Sequence, residues 1–158
     1  MIKFRGKPIV IKDDWIYGNY ILDGRHHYIA INVQTQTDEH GTGSWLVHEE
    51  TVGQFTGLHD KNGVEIYEGD IIAYCGKEFL TAIVCYGGYN ANGENCAMSN
   101  NYGWYFDVIQ CQRYTNYKMN KPLHCISGKA SFYPKYCGGE IVEVIGNIHD
   151  HPELIKMP

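Results

Sequence analysis

The run His149-Asp150-His151 puts three potential metal ligands side by side, and the chain holds six cysteines and eight histidines that could complete a site. Zinc sites are built from close pairs such as C-x₂₋₄-C. Here the cysteines stand at 75, 85, 96, 111, 125 and 137, never closer than ten positions. His149 and His151 also fall where a strand is expected to give way to a helix cap, so they read as polar residues at an exposed boundary. No metal and no other cofactor is expected. Nucleophile and phosphate signatures fail in the same way. Ser44 lies in GTGSW, which is not G-x-S-x-G. Gly41-Thr42-Gly43 lacks the third glycine of a dinucleotide loop, and Gly128-Lys129-Ala130 lacks the hydroxyl of a phosphate loop. The clustered carboxylates are Asp13-Asp14, Glu49-Glu50, and Glu65, Glu68 and Asp70. Acid–base work needs a carboxyl in an apolar setting, whereas these sit in turn-like, polar contexts and are expected to be solvated. No catalytic residue is nominated, and the protein is not expected to be an enzyme.

Charge placement says more. Between Val108 and Gly139 there are five bases and no acid, which leaves −10 on the remainder of a −5 chain. The bases Arg113, Lys118, Lys121, Lys129 and Lys135 alternate with the aromatics Tyr114, Tyr117, Phe132, Tyr133 and Tyr136. Cations and rings together suit a protein interface, where arginine and aromatics are enriched. They also suit single-stranded nucleic acid, whose phosphates and bases take the two groups separately. The acidic balance of the whole chain disfavours nucleic acid. The expected partner is therefore a protein or a second copy of the chain, with single-stranded nucleic acid as the alternative and an enzyme of unknown class behind both. Opposed charges on one chain also permit a homo-oligomer.

The elements that must position this segment read as strands. Thirteen tyrosines and 18 glycines favour strands and turns. Residues 15–21, 27–33, 51–56, 64–67, 71–74, 80–86, 102–109 and 141–148 carry the β-branched and aromatic runs. Asp23-Gly24 signals a hairpin with a loop longer than two residues. Asn62-Gly63 and Gly69 mark tight turns. Residues 34–44 and 87–101 are rich in Gly and polar residues and read as long loops. Asp150, Pro152 and Glu153 suggest a capped helix of one or two turns at the end. Ile66, Ile71, Val144 and Ile148 are expected to bury apolar surface. The expected fold is mainly β. It has a small N-terminal β (α+β) module over residues 1–58, an SH3-like, partly open barrel over 59–158 that begins with the GVEIYEGDIIAY run, and a short C-terminal helix.

No stretch approaches the ~18 consecutive apolar residues of a membrane helix, and the N-terminus has no apolar core of an export signal. A cytosolic protein with free thiols is expected.

Residues 2–5 (IKFR), 15–18 (WIYG), 103–105 (GWY) and 143–154, together with VGQFTGLHDKNGVEIYEGDII over 52–72, resemble the YopX family of bacteriophage and prophage proteins. The matching anchors span both ends and the middle of the chain, while 87–101 and 111–139 depart from the family pattern. The resemblance implies a phage or prophage accessory protein acting in a bacterial cytoplasm. It carries over no catalytic residue. The matched glycines and β-branched residues also have a plain reading as turns and core.

Overall fold

A computed structural model describes residues 2–10, 14–31, 43–74, 80–90, 100–111, 121–122 and 142–155. The chain is mainly β, with a curled half-barrel sheet. In chain order the strands are β1 (Phe4–Gly6), β2 (Ile16–Asp23), β3 (His26–Ala30), β4 (Ser44–Val47), β5 (Gly53–His59), β6 (Glu65–Tyr67), β7 (Asp70–Tyr74), β8 (Leu80–Asn90), β9 (Asn100–Cys111), β10 (Lys121–Pro122) and β11 (Val142–Asn147). Contacts divide the chain into two units, Met1–Phe55 and Thr56–Pro158, and β5 crosses the division. Among the described residues, no helix is long and apolar enough to cross a membrane.

The first unit is an antiparallel meander, β4-β3-β2-β1, to which the start of β5 adds through Arg5↔Gly53 and Phe4↔Gln54. The sheet curls far enough for the segment after β1 to meet β4. Pro8 bridges Val47, Ile9 N–H donates to the Leu46 carbonyl, and His48 N–H donates to the Lys7 carbonyl. Glycine makes this curl possible by close approach. A Cβ on Gly18 would lie 2.1 Å from the Ala30 carbonyl oxygen, and one on Gly6 would press on Val47. Ile29 and Val47 form the buried centre. The Asp23-Gly24 hairpin is tighter than its sequence suggests. Asp23 pairs with His26, leaving a two-residue loop. The expected strand over 51–56 begins only at Gly53, because Glu49–Thr51 form a 3-10 turn in which the Thr51 hydroxyl donates to the His48 carbonyl.

The second unit holds the five-stranded order β10-β9-β8-β7-β11, with β6 beside the later half of β5. Its core joins Ile66, Ile72, Ala82, Val84, Phe106 and Val142, with Leu58, Tyr74, Leu80, Trp104, Val108 and Val144 packed around them. Full burial of each large side chain is worth roughly 1.5–3 kcal/mol. Of the four expected core residues, Ile66 and Ile71 are buried, while Val144 and Ile148 are only partly so. β11 bulges between Val144 and Gly146, which re-aims the strand end.

Two sequence expectations change here. Residues 87–90 and 100–101, read as loop, are strand. Their register runs without break from Cys85↔Tyr105 to Asn90↔Asn100. Gly87 and Gly103 face each other with φ of 150° and 156°, a region that costs glycine little. The expected C-terminal helix is a single 3-10 turn, Pro152–Leu154, with His151 rather than Asp150 at the cap position and no side-chain cap. Asp150 is already engaged, accepting from the Asn147 amide at 2.8 Å.

Candidate functional site

Two places in the second unit gather chemistry-bearing side chains, and they differ in kind. The first is built on Asp60. This residue opens the Asn62-Gly63 turn, with its carboxylate Oδ1 accepting from the N–H groups of Asn62 at 2.7 Å and Val64 at 2.9 Å. Its Oδ2 accepts from Val144 N–H at 3.1 Å, 84 residues away on β11. Next to it, Lys61 N–H donates to the Val142 carbonyl and the Lys61 ammonium pairs with Glu143 at 2.8 Å. Burial works against ionisation of Asp60, but the N–H groups of Val64, Val144 and Asn62 outweigh it and hold the carboxyl below 3.8.

Asp70 belongs to the same knot. It was expected to be solvated, yet it is 1% exposed and its Oδ2 accepts Tyr67 N–H at 2.7 Å. That bond closes the Glu68-Gly69 turn, where Gly69 takes φ 80°. Ile148 N–H then donates to the Gly69 carbonyl, and Asp70 pairs with Asn147. The buried Asn147 organises the last turn, its Oδ1 accepting from His149 and Asp150 N–H. His151 lies against Gly146, where an added Cβ would come within 2.8 Å of the ring. Its Nδ1 stands 3.4 Å from Asn147 N–H. The His149-Asp150-His151 run is thus part of a hydrogen-bonded turn. Among the described residues, no three His, Cys, Asp or Glu side chains group as metal ligands.

The second place is the outer half of the β8–β9 hairpin. Ala82, Val84 and Tyr86 alternate onto one face of β8, and their register partners are Val108, Phe106 and Trp104. The face that forms the core therefore continues outward along the hairpin. β7 does not follow it, since its pairing with β8 stops at Ile71↔Ile83. Exposure rises along this face from Val84 to Tyr86, 47% exposed, and Tyr102, 75% exposed. The Tyr86 ring sits 4.9 Å from Trp104, and Tyr102 meets it edge-on at 5.4 Å. Such ring pairs support one another, so the three form one continuous aromatic patch. On the opposite face the free thiol of Cys85 lies near Tyr105. Burial first, then the Asp107 charge, pushes the Cys85 thiol up; burial and Cys85 push the Tyr105 phenol up.

Of the sequence-predicted contact residues, only Lys121 falls among those described. Its backbone pairs with Phe106 in β9, and Pro122 pairs with Tyr105, beside the strand that carries Trp104 and Tyr102. Arg113, Tyr114, Tyr117, Lys118, Lys129, Phe132, Tyr133, Lys135 and Tyr136 lie outside the described residues. Sequence reasoning missed Tyr86, Tyr102 and Trp104 as a group. The signal was present as matching aromatic parity on two strands, but the glycines between them read as loop.

The first unit adds a smaller constellation. The Tyr20 hydroxyl lies 2.7 Å from His27 Nδ1, and His27 Nε2 lies 3.6 Å from the exposed Glu49 carboxylate. On the other face of β2, Arg5 and Lys7 stand over the Trp15 ring at 4.4 and 5.4 Å, and Lys3 over Tyr17 at 5.5 Å. Both groupings brace strands against their neighbours.

The crystal structure of protein EF1440 from Enterococcus faecalis is similar over 99% of both chains, at 17% identity and a TM-score of 0.46. No curated protein matches the chain. The family described as YopX protein matches residues 3–156, nearly the full length, and the chain belongs to that family.

Proposed function

We propose that this protein is a non-enzymatic phage- or prophage-type accessory module. It works in the cytoplasm of a bacterial host and binds a protein partner or itself, with the second unit read as an SH3-like, partly open barrel. The observation that carries this reading is the aromatic patch of Tyr86, Tyr102 and Trp104, where the core face of the sheet continues along β8 and β9 beyond the end of the β7–β8 pairing, with Tyr86 and Tyr102 exposed. Apolar rings held at a surface mark interaction sites. β10 brings the backbone of Lys121 and Pro122, two residues of the basic, aromatic-rich segment 108–139, beside β9 of the same hairpin. The buried carboxylates support a binding role over acid–base work, because Asp60 and Asp70 spend acceptor oxygens on backbone N–H groups.

Single-stranded nucleic acid remains the second reading, since rings on adjacent strands of a sheet can also stack bases. Affinity capture from bacterial lysate separates the two. It uses the wild type, a variant with Arg113, Lys118, Lys121, Lys129 and Lys135 all changed to Gln, and Tyr86→Ser/Tyr102→Ser, each with and without nuclease. A defined protein held by wild type regardless of nuclease, and lost in either variant, is the expected result. Capture that vanishes with nuclease would replace protein with nucleic acid. Equal capture by all three proteins would contradict the placement of the surface.

A further inference from the structure

Among the described residues, the hairpin bears a strand edge with no neighbouring strand as well as an aromatic face. An open edge offers unpaired N–H and C=O groups to any passing strand, and proteins blunt such edges with charge, proline, bulges, brevity or a covering segment. The other sheet borders among the described residues show these devices. The outer side of β4 is met by residues 7–9. β6 is three residues long and begins with Glu65. β10 is two residues long and ends on Pro122. β11 carries a bulge, the charged Glu143–Lys61 pair, and a Val144 N–H already given to Asp60.

Residues 85–90 of β8 differ. They pair with β9 on one side, and among the described residues no strand lies on the other. Inward of them, Gly69 N–H takes the Val84 carbonyl, so the covered stretch ends there. The edge sequence is CYGGYN, with no charge and no proline. The other border of the hairpin, along residues 100–104 of β9, is open too, but β10 brings Lys121 and Pro122 to that side. β10 ends there on Pro122, which has no N–H to give to a ladder.

We propose that residues 85–90 pair antiparallel with the same residues of a second copy about a two-fold axis, giving one sheet in the order β10-β9-β8-β8-β9-β10. An isologous contact must be complementary to itself. On a −5 chain, an uncharged strand meets that condition without like-charge repulsion. The pairing satisfies the open backbone groups, as in strand addition, and draws Tyr86 of each copy toward the joint. This inference rests on the binding reading of the hairpin but names its occupant. It can fail while lysate capture still succeeds.

Sedimentation velocity of the full chain over a range of concentrations tests it, with Tyr86→Lys, Tyr86→Glu and their equimolar mixture. A contact this small should be weak. The wild type should shift from monomer to dimer. Each charged variant should associate at least about tenfold more weakly, and the mixture should recover the dimer. Amide chemical shifts of the wild type, followed against concentration, supply a readout that needs no variant. Changes should centre on residues 85–90. A wild type that stays monomeric would overturn the proposal. So would a dimer untouched by both charged variants, or shifts confined to other strands. A heterologous protein that shifts residues 85–90 on a monomeric chain would replace the second copy as occupant.

Discussion

Asp60 and Tyr102 stand at opposite extremes of the second unit. Around Asp60, polar groups from two distant stretches meet and saturate one another. The carboxylate takes three N–H groups, two from its own turn and one from β11. Around Tyr102, the face that forms the core further in continues along the hairpin, and the ring is left exposed. The family-defining stretches, 52–72 and 143–154, fall on the first region. Their glycines, asparagines and aspartates build a knot that holds β11 to β7 and its turn. The rings of the hairpin are mixed in this respect: Trp104 stands in the matched run 103–105, while Tyr86 and Tyr102 lie outside the matched runs. In this unit the two longest matched stretches mark architecture.

The comparison breaks most sharply at Asp60. Asp60→Ala leaves three N–H groups without their charged acceptor and should cost roughly 3 kcal/mol in urea unfolding. Asp60→Asn keeps the shape and some of the bonds, and should cost about 1–2 kcal/mol. A loss as small as that of an ordinary surface change would show that the knot does not hold the unit together. Gly146→Ala should follow at about 1–3 kcal/mol, since its methyl group meets the His151 ring. Thermal melting of this variant reports the packing of the last turn.

Acid sharpens the same point. The Asp60 carboxyl titrates lower in the folded protein than its usual 3.8. Its stabilising contribution is therefore whole above that pH and is lost as pH falls through the lowered folded value. Urea midpoints taken from pH 5 down to 2 should show this fall in wild type and a shallower one in Asp60→Asn. On the hairpin the expected effects on folding are small. Tyr86→Ser/Tyr102→Ser should change stability by about 0.5–1 kcal/mol while abolishing capture. Smallest of all is a change of rate at Cys85. With its thiol pushed up by burial and Asp107, it should be alkylated more slowly near neutral pH than an unhindered thiol, as read by peptide mass spectrometry.

Much of the fold is legible in local pattern. The β-branched and aromatic runs at 15–21, 80–86 and 102–109 become strands, and Asn62-Gly63 and Gly69 become turns, because those signals act over a few residues. What the local pattern hides depends on distant partners or on paired irregularities. Asp70 reads as a solvated turn acid and is buried. Nothing near Asp60 reveals that Val144 completes its shell. Gly87 reads as the start of a loop, yet opposite Gly103 it continues a ladder. The aromatic patch depends on the cross-strand register, Tyr86 opposite Trp104 and Gly88 opposite Tyr102, which neither strand's own sequence discloses.

Amide hydrogen exchange of dilute wild-type protein tests this division most directly. The N–H groups of Tyr67, Val64 and Val144, held by Asp70 and Asp60, should exchange only on global unfolding. The outward-facing amides of residues 85–90 should exchange orders of magnitude faster. Equal protection of both sets in dilute solution would mean that the β8 edge is already covered, and would contradict the account.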